Sequence, residues 1–193
     1  MDVLSASAGD DKIAWYENDG ASNFTDHVIT TNADNASSVY AIDVDADGDI
    51  DVLSASEADD RIAWYENNGS ESFTARNIST SVDGASSVFA IDVDNDGDID
   101  VLSASYNDNK IAWYENNGSE SFTSNTISTS AVFANSVFAI DVDKDGTTTY
   151  LTADYIKHLV DQLAKNEHDV DDLSIEEKEA VSSYLTRRDV LGQ

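Results

Sequence analysis

Apolar and polar residues change places in short bursts along most of this chain. Ser38-Val39-Tyr40-Ala41-Ile42, Asp51-Val52-Leu53-Ser54-Ala55-Ser56, Ile62-Ala63-Trp64-Tyr65-Glu66 and Phe73 to Ile78 are each strand-length. They are rich in β-branched and aromatic residues and too short to read as helices. Phe73–Ile78 alternates apolar and polar side chains, as an outer, half-buried strand does. Ahead of it, Asn67-Asn68-Gly69 supplies residues that tolerate positive φ and hence a turn. One unit of four short strands is predicted.

The unit recurs. Trp15, Trp64 and Trp113 stand 49 residues apart inside Ile-Ala-Trp-Tyr-Glu-Asn, and Asp43, Asp92 and Asp141 open three aspartate-rich stretches at that same interval. Four-stranded units of about 40–50 residues, set head to tail, are the signature of a β-propeller. The expected fold is mainly β, with about three four-stranded blades forming a partial propeller over residues 1–146.

After Gly146 the repeat stops and the period changes. Ile156, Leu159, Val160 and Leu163 fall at helical spacing between Ala153 and Asn166. Asn166 to Asp172 reads as an acidic connector, and Ser174-Ile175-Glu176-Glu177 is a capping box. Ala180, Val181, Tyr184 and Leu185 continue an apolar stripe, and Gly192 can end the helix. Residues 147–193 are expected to form an α-helical hairpin.

Within the repeat, the sequences Val-Phe-Ala-Ile-Asp-Val-Asp-Asn-Asp-Gly-Asp-Ile-Asp-Val-Leu-Ser-Ala-Ser and Ile-Ala-Trp-Tyr-Glu-Asn-Asn-Gly resemble the FG-GAP/VCBS repeat family, whose calcium-bearing blades also occur in integrin α-subunit propellers. The resemblance implies that residues 38–42 and 87–91 are innermost strands beside a central channel. It also implies that Phe73–Ile78 is outermost and that a calcium loop joins the first two strands of each blade.

Aligning Asp2 with Asp51 and Asp100 puts Met1 opposite Ile50 and Ile99, inside a loop. The expectation is that the chain is a piece of a longer one. Counting onward gives three strands, two full blades and a lone strand at Ser136–Ile140. Propellers close with four to eight blades, so two chains exchanging strands would make a six-bladed ring.

Charge narrows the partners. Ten basic residues against thirty-nine acidic ones give a formal charge of −29, which excludes nucleic acid and anionic membrane surfaces as natural partners. Three bound calcium ions would move that charge only to −23, so the surface as a whole is acidic. No cysteine or proline is present, which leaves turns to Gly, Asn, Asp and Ser. No run of eighteen apolar residues predicts a membrane span, and no secretory signal pattern is seen.

The candidate chemistry is metal binding. Residues 43–51 and 92–100 place carboxylates at positions one, three, five and nine: Asp43, Asp45, Asp47 and Asp51, then Asp92, Asp94, Asp96 and Asp100. Calcium takes six to eight oxygens, and a glycine at position six allows the sharp turn that brings them together. Asp49 and Asp98, at position seven, are expected to contribute backbone carbonyls. The third loop, 141–149, keeps Asp141, Asp143 and Asp145 but has Thr149 at position nine, so weaker binding is expected. Its approach to a helix resembles half an EF-hand or a dockerin repeat, although position twelve is Thr152 where those motifs want an acid.

The tryptophans are expected to pack between blades rather than stack on sugars, leaving Tyr16, Tyr65 and Tyr114 as the surface aromatics. His27, His158 and His168 share no repeat position, and no HExxH or G-x-S-x-G spacing occurs. The expected function is a calcium-binding, non-catalytic scaffold for binding or adhesion, extracellular or at the cell surface. The alternatives are a lectin-like carbohydrate-binding module, an accessory domain of a larger secreted enzyme, or a tail that docks a partner helix.

Overall fold

The computed structural model of the chain describes residues 1–140, which form eleven strands and, among those residues, no helix. β1 (Val3–Ser7), β2 (Lys12–Asn18) and β3 (Phe24–Thr30) make a three-stranded sheet. β4 (Ala36–Ile42), β5 (Asp51–Ser56), β6 (Arg61–Asn67) and β7 (Phe73–Ser79) make a four-stranded sheet in that order. β8 (Ala85–Ile91), β9 (Asp100–Ser105), β10 (Lys110–Asn116) and β11 (Phe122–Ser128) repeat it. All neighbouring strands are antiparallel. The three expected strands, the two full units and the edge positions of 38–42, 87–91 and 73–78 are all present.

Burial explains why the central strands lack a simple alternation. Leu53 lies opposite Trp64 on one face, and Val52 lies opposite Tyr65 on the other. Each face has its own partner sheet. Leu53, Trp64, Val88, Val101 and Tyr114 belong to the core between the second and third sheets, while Val52, Tyr65, Ile13 and Ala36 fill the core between the first and second. A strand buried on both faces reads as a continuous apolar run.

Adjacent sheets are stapled along their first strands, where β4 lies against β8. A β-bulge at Ser37 inserts one extra residue opposite β5, and bulges re-aim side chains. The Ser37 hydroxyl consequently lies 3.0 Å from the Ala55 carbonyl and 2.7 Å from that of Ala85 in the next sheet. Ser86, in the equivalent bulge of β8, lies 2.9 Å from Ala104 O and 2.8 Å from Ala134 O. Val88 N–H donates to Ser38 Oγ at 3.2 Å.

Two expectations are corrected. Ser136–Ile140 forms no strand; it has no ladder partner among the described residues. Tyr65 and Tyr114 are not surface groups. Each is 1% exposed, and their hydroxyls are hydrogen-bonded to Ser54 at 3.3 Å and Ser103 at 3.2 Å. The face opposite the tryptophans meets another sheet, which leaves no exposed side for them. Residues 141–149, read as a third acidic loop, and 147–193, expected to be a helical hairpin, lie outside the described residues.

Candidate metal loops

Each acidic loop connects the first and second strands of a sheet, β4 to β5 and β8 to β9. Its backbone curls because alternate aspartates capture amides further along. In the first loop Gly48 N–H donates to Asp43 Oδ2 at 3.0 Å, Asp47 N–H to Asp45 Oδ1 at 3.2 Å, and Asp49 N–H to Asp47 Oδ1 at 2.9 Å. The second loop repeats these bonds at Gly97–Asp92, Asp96–Asp94 and Asp98–Asp96, at 3.0, 3.3 and 2.9 Å. Gly48 and Gly97 sit at φ of 97° and 98°, a region open to glycine and strained for other residues.

The ninth-position aspartates close the loops from beneath. Asp51 and Asp100 are fully buried. Asp51 accepts from Val44 N–H at 3.1 Å and from Asn67 N–H at 2.8 Å. Asp100 does the same with Val93 at 3.0 Å and Asn116 at 2.8 Å. One carboxylate thus ties the start of its loop to the end of the sheet's third strand.

Oxygens of Asp43, Asp45 and Asp51 converge to within 4.8 Å of one another, as do those of Asp92, Asp94 and Asp96. Asp47 in the first loop and Asp100 in the second stand outside these triplets. The side chains of Asp49 and Asp98 turn outward against Gly69 and Gly118 of the following hairpins, where a Cβ would collide with them. Burial raises the Asp45, Asp51, Asp94 and Asp100 carboxyls above the usual range, and neighbouring carboxylates push the same way. For Asp51 and Asp100 the two backbone N–H bonds oppose that shift without cancelling it.

The fit to a cation is tested by what the protein leaves unsatisfied. Asp43 Oδ1 and Asp92 Oδ1 are buried and accept no hydrogen bond. Burying an acceptor without a partner is costly, and an anionic one more so. Two other orphaned carboxylate oxygens, Asp59 Oδ1 and Asp108 Oδ1, belong to groups paired with Arg61 and Lys110, whereas those of Asp43 and Asp92 fall at position one of their loops, on residues of the two convergent triplets. The donor set, all carboxylate and carbonyl oxygen, suits a hard cation. These residues fit a metal ion.

One neighbouring feature was missed at the sequence level. Arg76 on β7 pairs with Glu66 at 2.5 Å and with Glu120 of the β10–β11 turn at 2.7 Å, and lies 5.2 Å over the Trp64 ring. Asp45, Glu66 and Glu120 bring their oxygens within 4.8 Å of one another beside it. The signal was available in the repeat itself. Position 76 varies, as His27, Arg76 and Asn125, while the glutamate it meets recurs as Glu17, Glu66 and Glu115.

Repeated antiparallel sheets, with acidic loops between the first two strands of each four-stranded one, define a propeller-like repeat array. A family model for the FG-GAP-like repeat matches residues 1–54, 43–103 and 92–151, and the chain belongs to that family. No curated protein matches it. Among solved structures, one on the recognition of non-reducing terminal N-acetylglucosamine by an Agrocybe aegerita lectin is similar at 17% identity and a TM-score of 0.44. That match covers 67% of this chain and 39% of the other, so the chain spans well under half of that protein's length.

Proposed function

We propose that this chain is a calcium-stabilised, non-catalytic scaffold of propeller-like blades that presents a binding surface in an extracellular or cell-surface protein. The observation that carries this reading is the pair of buried, partnerless oxygens on Asp43 and Asp92, repeated at one position of two loops. Calcium is favoured over magnesium, which keeps its waters and seldom enters an all-protein cage. When bound, it would neutralise the loop carboxylates and fix the turn between the first two strands. Asp45, Asp47, Asp51, Asp94, Asp96 and Asp100 accept backbone N–H bonds, which orient them as acceptors toward the loop. Family membership supports the location, since such repeats are typical of extracellular proteins; no helix of the described residues is long and apolar enough to cross a membrane.

Calorimetric titration of the full chain tests the metal. Two or more calcium sites are expected, reversed by chelator, each adding about 2.7 kcal/mol at a hundredfold excess over its Kd. No heat and no shift in Tm at millimolar calcium would overturn the proposal. The pH dependence has a defined sign. Raised carboxyls stabilise the cation-free fold below their ordinary value, and that contribution is lost as pH rises through their folded values. Calcium needs the ionised form, so the Tm gain from calcium is expected to be larger at pH 7 than at pH 4.5.

A second reading concerns the ligand. At the blade ends away from the acidic loops lies a cleft of about 320 Å³ lined by Ser37, Glu57, Ser86, Tyr106 and Asn135. Its lining combines hydroxyl, carboxylate and amide groups with an exposed aromatic, the chemistry that grips a neutral sugar. Several of these positions change between otherwise matching repeats: Ala8, Glu57 and Tyr106 correspond, as do Ser37, Ser86 and Asn135. A glycan panel is expected to show binding that falls at least tenfold in Tyr106→Ala and Glu57→Ala with Tm unchanged. Binding that survives both changes would remove this cleft from consideration.

A further inference from the structure

We infer that Arg76 tunes the first acidic loop: its guanidinium competes with a cation for Asp45, so residues 43–51 bind calcium more weakly than they would without it. The inference rests on the calcium reading of the loops and adds a residue outside them that sets the affinity of one.

Arg76 lies on β7, away from either loop in sequence, yet the fold brings its charge to the first. Asp45, at position three of that loop, and Glu120, in the β10–β11 turn, line one cleft of about 100 Å³. Glu66 of β6 completes the group, and one oxygen from each of the three carboxylates lies within 4.8 Å of the others. Three carboxylates so close repel one another unless a cation stands among them. Arg76 is that cation. It donates to Glu66 through Nε at 2.6 Å and meets Glu120 through Nη1 at 2.7 Å, and the Asp45 charge also bears on it. The Trp64 ring beneath the guanidinium helps to hold it there.

Asp45 therefore belongs to two sets. It converges with Asp43 and Asp51 inside the loop, and with Glu66 and Glu120 beside Arg76. A doubly charged ion entering the loop is repelled by the guanidinium and draws on a carboxylate the guanidinium already attracts. Removing the Arg76 charge acts twice in one direction. The repulsion disappears, and the Glu66 and Glu120 charges are uncovered beside the loop. The turn itself does not depend on Arg76, because Asp45 Oδ1 accepts from Asp47 N–H and Asp43 Oδ2 from Gly48 N–H.

The second loop is the comparison the repeat supplies. Asp94 corresponds to Asp45 and Glu115 to Glu66. Burial raises the Asp94 carboxyl, and the Glu115 charge pushes the same way. The position of Arg76 is taken by Asn125, whose amide donates to Glu115 at 3.1 Å and brings no net charge. The same loop aspartate and the same glutamate thus face a cation in one repeat and a neutral amide in the next.

Calcium titration of the full chain followed by amide NMR separates the loops, because Gly48 and Gly97 N–H groups donate to Asp43 and Asp92 and report each loop by itself. At low salt, Arg76→Met is expected to lower the Kd read at Gly48 about five- to tenfold and to leave that read at Gly97 unchanged. Arg76→Lys keeps the charge and is expected to stay within about twofold of the parent chain. The Arg76→Met effect is expected to shrink at about 0.5 M salt, where exposed charges are screened. Asn125→Arg is expected to do the reverse, raising the Kd at Gly97 while that at Gly48 holds. A Gly48 Kd that Arg76→Met leaves unchanged or raises, or that Arg76→Lys lowers equally, overturns the inference with calcium binding intact, as does a Gly97 Kd unmoved by Asn125→Arg. If neither glycine responds to millimolar calcium in the parent chain, the calcium reading fails and this inference falls with it.

Discussion

Replacing Asp51 by alanine is expected to destabilise the fold by about 3–5 kcal/mol even when calcium is removed by chelator. The carboxylate is fully buried, and its two oxygens accept from Val44 and Asn67 N–H groups at opposite ends of the turn. Alanine leaves both donors without an acceptor, at about 1–3 kcal/mol each. A domain of this size has about 5–15 kcal/mol in total, so the variant sits near the edge of unfolding. Asp43→Ala separates the two roles of the loop. Its Oδ2 accepts only from Gly48 N–H in an exposed turn, and its other oxygen is the partnerless one. In chelator Asp43→Ala is expected to cost about 1 kcal/mol or less, and in calcium considerably more. Urea denaturation of both variants, with and without chelator, measures the difference. An Asp51→Ala cost under about 1 kcal/mol in chelator would mean that this carboxylate serves the cation alone.

That contrast was only half legible in the sequence. The period and the acidic loops were plain, because carboxylates at alternate positions before a glycine have few other uses. The division of labour among them was not. Asp51 and Asp43 look alike in the string, yet one closes a turn from below and the other faces the loop. Only the pairing of β5 with β6, which brings Asn67 N–H to Asp51, separates them. Tyr65 and Tyr114 were misread for a related reason. Alternation assigns a residue to a face, but it cannot say whether that face meets water or another sheet. In a stack of sheets both faces are covered, and the hydroxyls are satisfied internally by Ser54 and Ser103. The failure at Ser136–Ile140 is of another kind. Its sequence has every strand propensity that β8 has, but a strand needs a ladder, and none is offered among the described residues.

Position in the array, and not sequence, also governs what the tryptophans contribute. Trp64→Ala is expected to cost about 3–5 kcal/mol, the range for a large aromatic removed from a packed core. Trp64 is 1% exposed, edge-on to Phe122 and under the Arg76 guanidinium. Trp113 occupies the same place in an identical strand sequence from Ile111 to Asn116. It is only partly buried, because among the described residues no further sheet follows to cover it as the third sheet covers Trp64. Trp113→Ala is accordingly expected to cost about half as much, since the loss scales with the apolar area removed from water. Thermal unfolding of both variants beside the parent chain reads this directly. Equal costs for the two would mean that Trp113 is as well packed as Trp64, against their difference in burial.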